Sequence, residues 1–105
     1  MRIRQIAFVA EDLEAAAADL CATLDLEVGF RDPGVAEFGL ANVVIPLGDT
    51  FLEVVSPTRP DTSAGRLLAK RSGDGGYMVI LQSDDLDADR KRLKDLSVRI
   101  VWAVT

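Results

Sequence analysis

One acidic side chain stands inside an otherwise apolar segment of this chain. Glu53 interrupts the β-branched and apolar run from Thr50 to Ser56. A carboxylate in such a place either contacts water or an arginine such as Arg4 or Arg66, or it belongs to a binding site. In a binding site it would orient a ligand or act as a general base. Glu53 is therefore the candidate catalytic residue.

Histidine is absent from the sequence, and Cys21 is its single cysteine. The missing imidazole removes the commonest general acid/base and the commonest metal ligand, and it excludes mechanisms that pair a serine or cysteine with histidine. A lone cysteine excludes an internal disulfide and is typical of a reducing compartment, so we expect a cytoplasmic protein. Cys21 itself is expected to be a packed thiol.

The charge pattern bears on possible partners. The net charge is −5, and the basic residues gather in two segments that have the pattern of amphipathic helices. These clusters are Arg66, Lys70 and Arg71, and Arg90, Lys91, Arg92 and Lys94. Solvated helix faces explain both clusters, so we expect no nucleic-acid partner. No apolar run approaches the roughly 20 residues that span a bilayer, so we expect no membrane partner.

The first half of the chain has the pattern of a βαβββ unit. Residues 3–9 predict a buried strand, and Asp12 is a good N-cap for a helix that ends near Asp25. Three further strands are predicted at about 26–31, 35–46 and 50–56, with turns at 32–34 and 48–49.

The second half repeats the beginning of the first. A connection rich in Pro, Gly and Ser contains a short helix over 62–71, capped by Thr62 or Ser63. A strand at 77–82 follows, then a helix opened by Asp84 or Asp85 and a last strand at 98–102.

A shift of 73 positions places the segment IAFVAEDLEAAAADL over VILQSDDLDADRKRL. Residues 1–57 are therefore the first repeat, 58–76 a connection with a short helix, and 77–105 an incomplete second repeat of the same domain.

The segments IRQIAFVAEDLEAAAADL, FLEVVSP and SPTRPDTSAGRLLAKRSGDGGYMVILQSDDLD resemble the vicinal oxygen chelate superfamily. That superfamily includes glyoxalase I, extradiol dioxygenases and bleomycin-resistance proteins. The sequence is most similar to the branch of methylmalonyl-CoA epimerase and glyoxalase-like lyases. The resemblance implies an α+β fold in which tandem βαβββ repeats form a cupped mixed sheet, with the second repeat truncated here to βαβ.

The resemblance also places a divalent metal in the cup. The positions equivalent to the family's metal ligands are Gln5, Glu53 and Met78 in this sequence. One carboxylate, one amide and one thioether form a poor donor set for Mg²⁺, Mn²⁺, Zn²⁺ or Ni²⁺. We therefore expect no metal and no other cofactor, and a bound divalent ion is the alternative.

Strand alternation predicts which side chains line this cup, because every second residue of a strand lies on the same face. A mostly apolar lining with a few polar groups is typical of a small-molecule site. The predicted ligand-binding residues are Gln5, Phe51, Glu53, Val55, Met78, Ile80 and Gln82. Trp102 is expected to be buried, or to cover the open sheet or a contact between subunits.

Three functions are compatible with these residues. The leading hypothesis is a metal-independent protein that binds a small molecule, of the sequestering or resistance type. The second is a divalent-metal-dependent lyase or epimerase, and the third is a non-catalytic dimerisation domain. Six strands in place of eight would leave a sheet edge unpaired. Three explanations are open: the chain is a fragment of a longer protein, a second copy completes the sheet, or the missing strands are dispensable, and we favour the first two. We expect a homodimer in either case.

Overall fold

The computed structural model describes residues 1–103 and has an α+β architecture. In chain order the elements are β1 (Arg2–Val9), α1 (Leu13–Leu24), a 3-10 helix (Pro33–Phe38), β2 (Leu40–Leu47), β3 (Thr50–Pro57), α2 (Ser63–Arg71), β4 (Gly75–Gln82) and α3 (Leu86–Asp95). Within the described range, no helix has both the length and the apolar character needed to cross a bilayer.

One open mixed sheet with the strand order β2-β3-β1-β4 forms the framework. Strand β1 pairs in parallel with β3 and antiparallel with β4, while β2 and β3 are antiparallel. The register sets Ala7 opposite Glu53 on one side and opposite Met78 on the other. Strands β1, β3 and β4 therefore bring their central side chains together on one face of the sheet. The mixed sheet with its helices confirms the predicted α+β fold class.

The three α-helices begin at the same kind of N-cap. The carboxylates of Asp12 and Asp85 and the hydroxyl of Thr62 each accept a hydrogen bond from the backbone N–H three residues on. Each such cap contributes about 1 kcal/mol to helix stability. The repeated capping predicted from the sequence is confirmed, and Thr62 rather than Ser63 caps α2.

Helix α1 covers one face of the sheet. Its buried Ala17 packs against three buried residues of β2 and β3, and partly buried side chains including Cys21 surround this cluster. The cluster consists of Ala17, Val43, Ile45 and Leu52, with Phe8, Leu13, Leu20, Cys21 and Leu26 around it. The expectation that Cys21 is a packed thiol agrees with this position.

One predicted strand of the first repeat is wrong, and another is confirmed only in its second part. The segment 26–31 makes only an isolated bridge between Phe30 and Val44, and 35–46 divides into the 3-10 helix and β2. Pro33 lacks the N–H that a sheet ladder needs, and the Asp32 carboxylate accepts from Gly34 N at 2.8 Å, which favours a helical turn. Gly39, with φ of 71°, ends that turn and starts β2.

The strand predicted at 98–102 is also wrong. Val98 N–H donates to Leu93 O at 2.9 Å, and Ser97 has a φ of 59°, so the chain reverses direction as it leaves α3. Among the described residues the second repeat therefore consists of β4 and α3 followed by an irregular segment. Residues 104–105 of the predicted unit lie outside the described residues, and the unit boundaries remain a prediction.

Candidate functional site

A cavity of about 670 Å³ lies on the face of the sheet opposite α1. Its walls come from all four strands, the 3-10 helix, the start of α2 and the segment after α3. The lining residues are Gln5, Ala7, Val35, Phe38, Leu40, Glu53, Val55, Ser63, Ala64, Tyr77, Met78, Ile80, Val101 and Trp102. This set is mostly apolar, with a few polar groups that converge on one place, which is the usual composition of a small-molecule pocket.

The cavity brings together five of the seven side chains that the sequence singled out, Gln5, Glu53, Val55, Met78 and Ile80. The other two, Phe51 and Gln82, lie outside it. Phe51 packs edge-on against Phe30 and lies beneath the guanidinium of Arg4, while Gln82 Oε1 accepts a hydrogen bond from Arg4 Nη1 at 3.4 Å. A role of the five lining residues in binding a ligand remains a prediction.

Glu53 accepts hydrogen bonds from two side-chain amides at the base of the cavity. Gln5 Nε2 donates to Glu53 Oε1 at 2.9 Å, and Asn42 Nδ2 donates to Glu53 Oε2 at 2.6 Å. Both carboxylate oxygens thus accept N–H bonds, as an ionised carboxylate does. Only 8% of Glu53 is exposed, and neither Arg4 nor Arg66 pairs with it, since Arg66 pairs instead with Asp61.

The backbone fixes the orientation of the Asn42 amide. Asp32 N–H donates to Asn42 Oδ1 at 2.8 Å. Rotating the amide by 180° would place its NH₂ group against that N–H, so Nδ2 must face Glu53. A buried amide held in this way is a strong positioning element for the carboxylate, because leaving its N–H unpaired would cost about 1–3 kcal/mol.

Sequence reasoning missed Asn42, although a usable signal was present. Asn42 is the polar residue of the buried strand segment Leu40–Leu47, the same kind of interruption that drew attention to Glu53. The pairing of β2 with β3 sets Asn42 opposite Val55, so its amide reaches the neighbouring Glu53.

The mouth of the cavity carries an aromatic pair that the sequence did not predict. The rings of Phe38 and Trp102 meet edge to face, with centroids 5.3 Å apart and an interplanar angle of 69°. Trp102 is 65% exposed, so the expectation of burial is wrong. Phe38 lies in the first part of the strand predicted at 35–46, and its place at the mouth follows from the 3-10 helix that forms there instead.

The side chains at the base of the cavity do not fit a divalent metal. Within residues 1–103, no group of three histidine, cysteine, aspartate or glutamate residues is arranged to hold a metal ion. Both Glu53 oxygens already accept amide N–H bonds, and the Asn42 amide is oriented with its nitrogen toward the site. Met78 offers only a neutral thioether, a poor ligand for hard divalent ions. The expectation of a metal-free site still awaits a measurement of metal content.

Comparison with known proteins places this architecture in a family. The model of the glyoxalase-like domain matches residues 6–103. The ethylmalonyl-CoA/methylmalonyl-CoA epimerase of Cereibacter sphaeroides is 30% identical over 100 residues. A Streptomyces coelicolor methylmalonyl-CoA epimerase variant, solved in complex with 2-nitronate-propionyl-CoA, superposes with a TM-score of 0.84 at 29% identity and covers 97% of this chain and 76% of that one. The chain belongs to the glyoxalase-like domain family, within the vicinal oxygen chelate superfamily.

The chain spans only part of the length of the relatives that it matches. The alignment covers 95% of this chain but 74% of the Cereibacter protein. The mitochondrial methylmalonyl-CoA epimerase of Bos taurus is also 30% identical over 100 residues, and the chain spans only 57% of its length. The resemblance to the epimerase branch is therefore established for the domain, and the activity of the relatives comes to this chain only as a proposal.

Proposed function

We propose that the chain is a small-molecule-binding member of the glyoxalase-like domain family that works without a metal ion, as a sequestering or resistance-type protein. The observation that supports this proposal most is the state of Glu53. Its two oxygens accept hydrogen bonds from Gln5 and Asn42 at the base of an apolar cavity of about 670 Å³. The cavity has the size and lining of a ligand site, while the acid/base and metal-binding groups that chemistry would need are few.

The relatives' reaction is the second candidate, because epimerases are 30% identical to this chain. Epimerisation removes a proton from carbon and returns one to the opposite face, so it needs acid/base groups on both sides of the substrate and a positive group to stabilise the enolate. Glu53 is the single carboxylate among the described residues that line the cavity. One carboxylate that already accepts two amide N–H bonds is a weak basis for this chemistry.

Exchange of the α-hydrogen of methylmalonyl-CoA separates the two candidates. The protein is incubated with this compound in D₂O, and deuterium incorporation is followed by mass spectrometry. We expect incorporation at the rate of the buffer alone. If exchange is faster than in buffer and the excess disappears in Glu53→Gln, the binding proposal is wrong and epimerase-type proton transfer is the function.

Metal content tests the metal-free part of the proposal. Protein purified without chelator is measured by elemental analysis, beside a Glu53→Ala variant. We expect far less than one Mn, Co, Ni or Zn per chain in both samples. One metal per chain that is lost in Glu53→Ala would contradict the proposal.

Two neighbouring residues of β4 provide a matched test of where ligands bind. Met78 faces the cavity, whereas Val79 lies on the other face of the strand and is 59% exposed. In a thermal-shift screen, compounds that raise the Tm of the original protein should fail to do so for Met78→Arg, which fills the cavity and places a cation there, and should still do so for Val79→Arg. No rise with any compound would favour the third candidate, a dimerisation domain.

We also propose that a second copy of this chain covers the outer side of β4. This strand is at the edge of the described sheet, and Val79 and Leu81 leave an apolar surface that α3 does not bury. An apolar edge strand of this kind favours association. Sedimentation analysis should give a dimer for the original protein and a monomer for the Val79→Lys/Leu81→Lys double variant. A monomeric original protein would contradict the homodimer.

A further inference from the structure

The carboxylate at the base of the cavity contacts no cationic side chain among residues 1–103. Among the described residues, none of the ion pairs involves Glu53. Its two partners, Gln5 and Asn42, are neutral amides. Arg4 lies away from the cavity, over the ring of Phe51 and near Gln82. A buried carboxylate without a charged partner is costly, so a ligand that brings a positive charge would gain more here than a neutral one.

The other end of the cavity is suited to an aromatic ring. Phe38 and Trp102 meet edge to face at the mouth, and Tyr77 and Met78 also line the cavity. Trp102 and Met78 are 65% and 48% exposed, so they have surface left to cover. Aromatic rings and thioethers pack favourably against an aromatic ligand.

Resting on the proposed function, we infer that the ligand of this cavity is an arylalkyl amine in its protonated form. Its ammonium group donates to Glu53 at the base, and its ring lies against Phe38 and Trp102 at the mouth. A charge-assisted hydrogen bond is roughly twice as strong as a neutral one, and the apolar walls strengthen it further. A carboxylate ligand would instead meet the charge of Glu53 and be repelled.

A series of three compounds that differ only in their polar end tests this inference. The probes are 4-phenylbutylamine, 4-phenylbutan-1-ol and 5-phenylpentanoate, which are cationic, neutral and anionic. Their affinities can be measured by calorimetry or through the fluorescence of Trp102, the single tryptophan of the chain. We expect the amine to bind about tenfold more tightly than the alcohol, and the carboxylate to bind least.

Three variants separate the charge of Glu53 from the other contributions. In Glu53→Gln the ratio of amine to alcohol affinity should fall to within about twofold while the alcohol still binds, because only the charge-assisted bond is lost. Glu37→Gln removes the same charge from an exposed position outside the cavity and should leave the ratio unchanged. Trp102→Ala should weaken all three ligands and keep the ratio.

The outcomes distinguish this inference from the proposal on which it rests. If the alcohol or the carboxylate binds as tightly as the amine, or if Glu53→Gln leaves the ratio intact, the inference is wrong and the binding function stands. If none of the three probes binds, the inference is overturned, and the binding function is decided separately by the thermal-shift screen.

Discussion

The two faces of the sheet differ in the polarity and burial of their side chains. On the face covered by α1, Val43, Ile45 and Val54 are fully buried and no polar side chain enters the cluster. On the other face, the same strands carry Glu53 and Asn42, and the cavity remains open. Alternate residues of a strand lie on opposite faces of the sheet. The packing of α1 on the first face therefore does not account for the polar pair on the second.

The second face also contributes to the fold, because part of it packs against α2 in another apolar cluster. This cluster consists of Val9, Leu40, Val55, Ala64 and Leu68. The open part of the face, with the polar pair, is the part that our proposal assigns to a ligand.

The two helices that follow β1 and β4 extend this comparison. Helices α1 and α3 share an aspartate N-cap and leucines at matching positions, yet α1 buries Ala17 and α3 buries no residue. Helix α1 rests on β2 and β3, which supply Val43, Ile45 and Leu52. No strand among the described residues follows α3 to provide the equivalent surface. A shared sequence pattern therefore sets local structure, while packing depends on the neighbouring strands.

The largest effect on stability should come from the helix-covered face. Ile45→Ala removes a fully buried side chain and should lower the free energy of unfolding by about 3 kcal/mol, from lost burial and the cavity left behind. Urea denaturation measures this change. Leu93→Ala on α3, where the side chain is 39% exposed, should lower it by less than about 1 kcal/mol. Equal losses for the two variants would contradict the contrast between α1 and α3.

On the cavity face, the hydrogen bonds of Glu53 should contribute more to the free energy of unfolding than the volume of its side chain does. Glu53→Leu leaves the amide nitrogen of Asn42 unpaired and should lower the free energy of unfolding by about 2 kcal/mol. Glu53→Gln should cost less, because its oxygen can accept from Asn42 while Gln5 rotates to accept from its NH₂ group. The Glu53→Leu/Asn42→Val double variant should be more stable than the sum of the single changes predicts. Strict additivity in urea denaturation would disprove the proposed amide contact.

A third change tests the orientation of Asn42. In Asn42→Asp, one oxygen still accepts from Asp32 N–H and the other faces Glu53, so the two carboxylates must share a proton in the folded state. The folded variant then binds more protons than the unfolded chain, and its stability falls as the pH rises above the range in which free carboxylates titrate. Urea denaturation at about pH 4 and pH 8 compares the variant with the original protein. Equal pH dependence of the two would contradict the orientation.

The smallest effect on stability should come from an exposed ion pair between Glu14 of α1 and Arg31. The Arg31 guanidinium donates hydrogen bonds to the Glu14 carboxylate, with Nη2 and Oε2 2.9 Å apart, and this contact lowers the pKa of Glu14. Its contribution to stability is present above the ordinary pKa of a glutamate and is lost as the pH falls through the lowered value. In Arg31→Gln the Glu14 pKa should return toward its ordinary value, as measured by carbon-13 NMR titration. An unchanged pKa would mean that the pair does not persist in solution.

Much of the fold was predictable because local rules determine it. Asp12 and Asp85 cap their helices where the repeat predicts, and strand alternation placed Gln5, Glu53 and Met78 on one cavity wall. These features depend only on side-chain type and on spacing along a single element.

What the sequence did not predict depends on contacts between distant segments. Pro33 and Gly39 turn a predicted strand into a 3-10 helix, and this places Phe38 beside Trp102 across the mouth. Phe51 was expected inside the cup, but it packs on Phe30 at the other end of the strand. Strand periodicity indicates which face a residue occupies, but it does not indicate how far along that face the cavity extends.

The central claim is that the cavity binds its ligand through Glu53 with both amide partners in place and without a metal. Nitrogen-15 NMR of the side-chain amides of Gln5 and Asn42, followed during titration with 4-phenylbutylamine in the presence of EDTA, tests this most directly. We expect the NH₂ signals of both residues to shift together and to saturate at one ligand per chain. The reason is that the ligand's ammonium donates to the Glu53 carboxylate, which both amides also contact. Signals that stay unchanged, or that shift only after a divalent metal is added in excess of the chelator, would contradict the account.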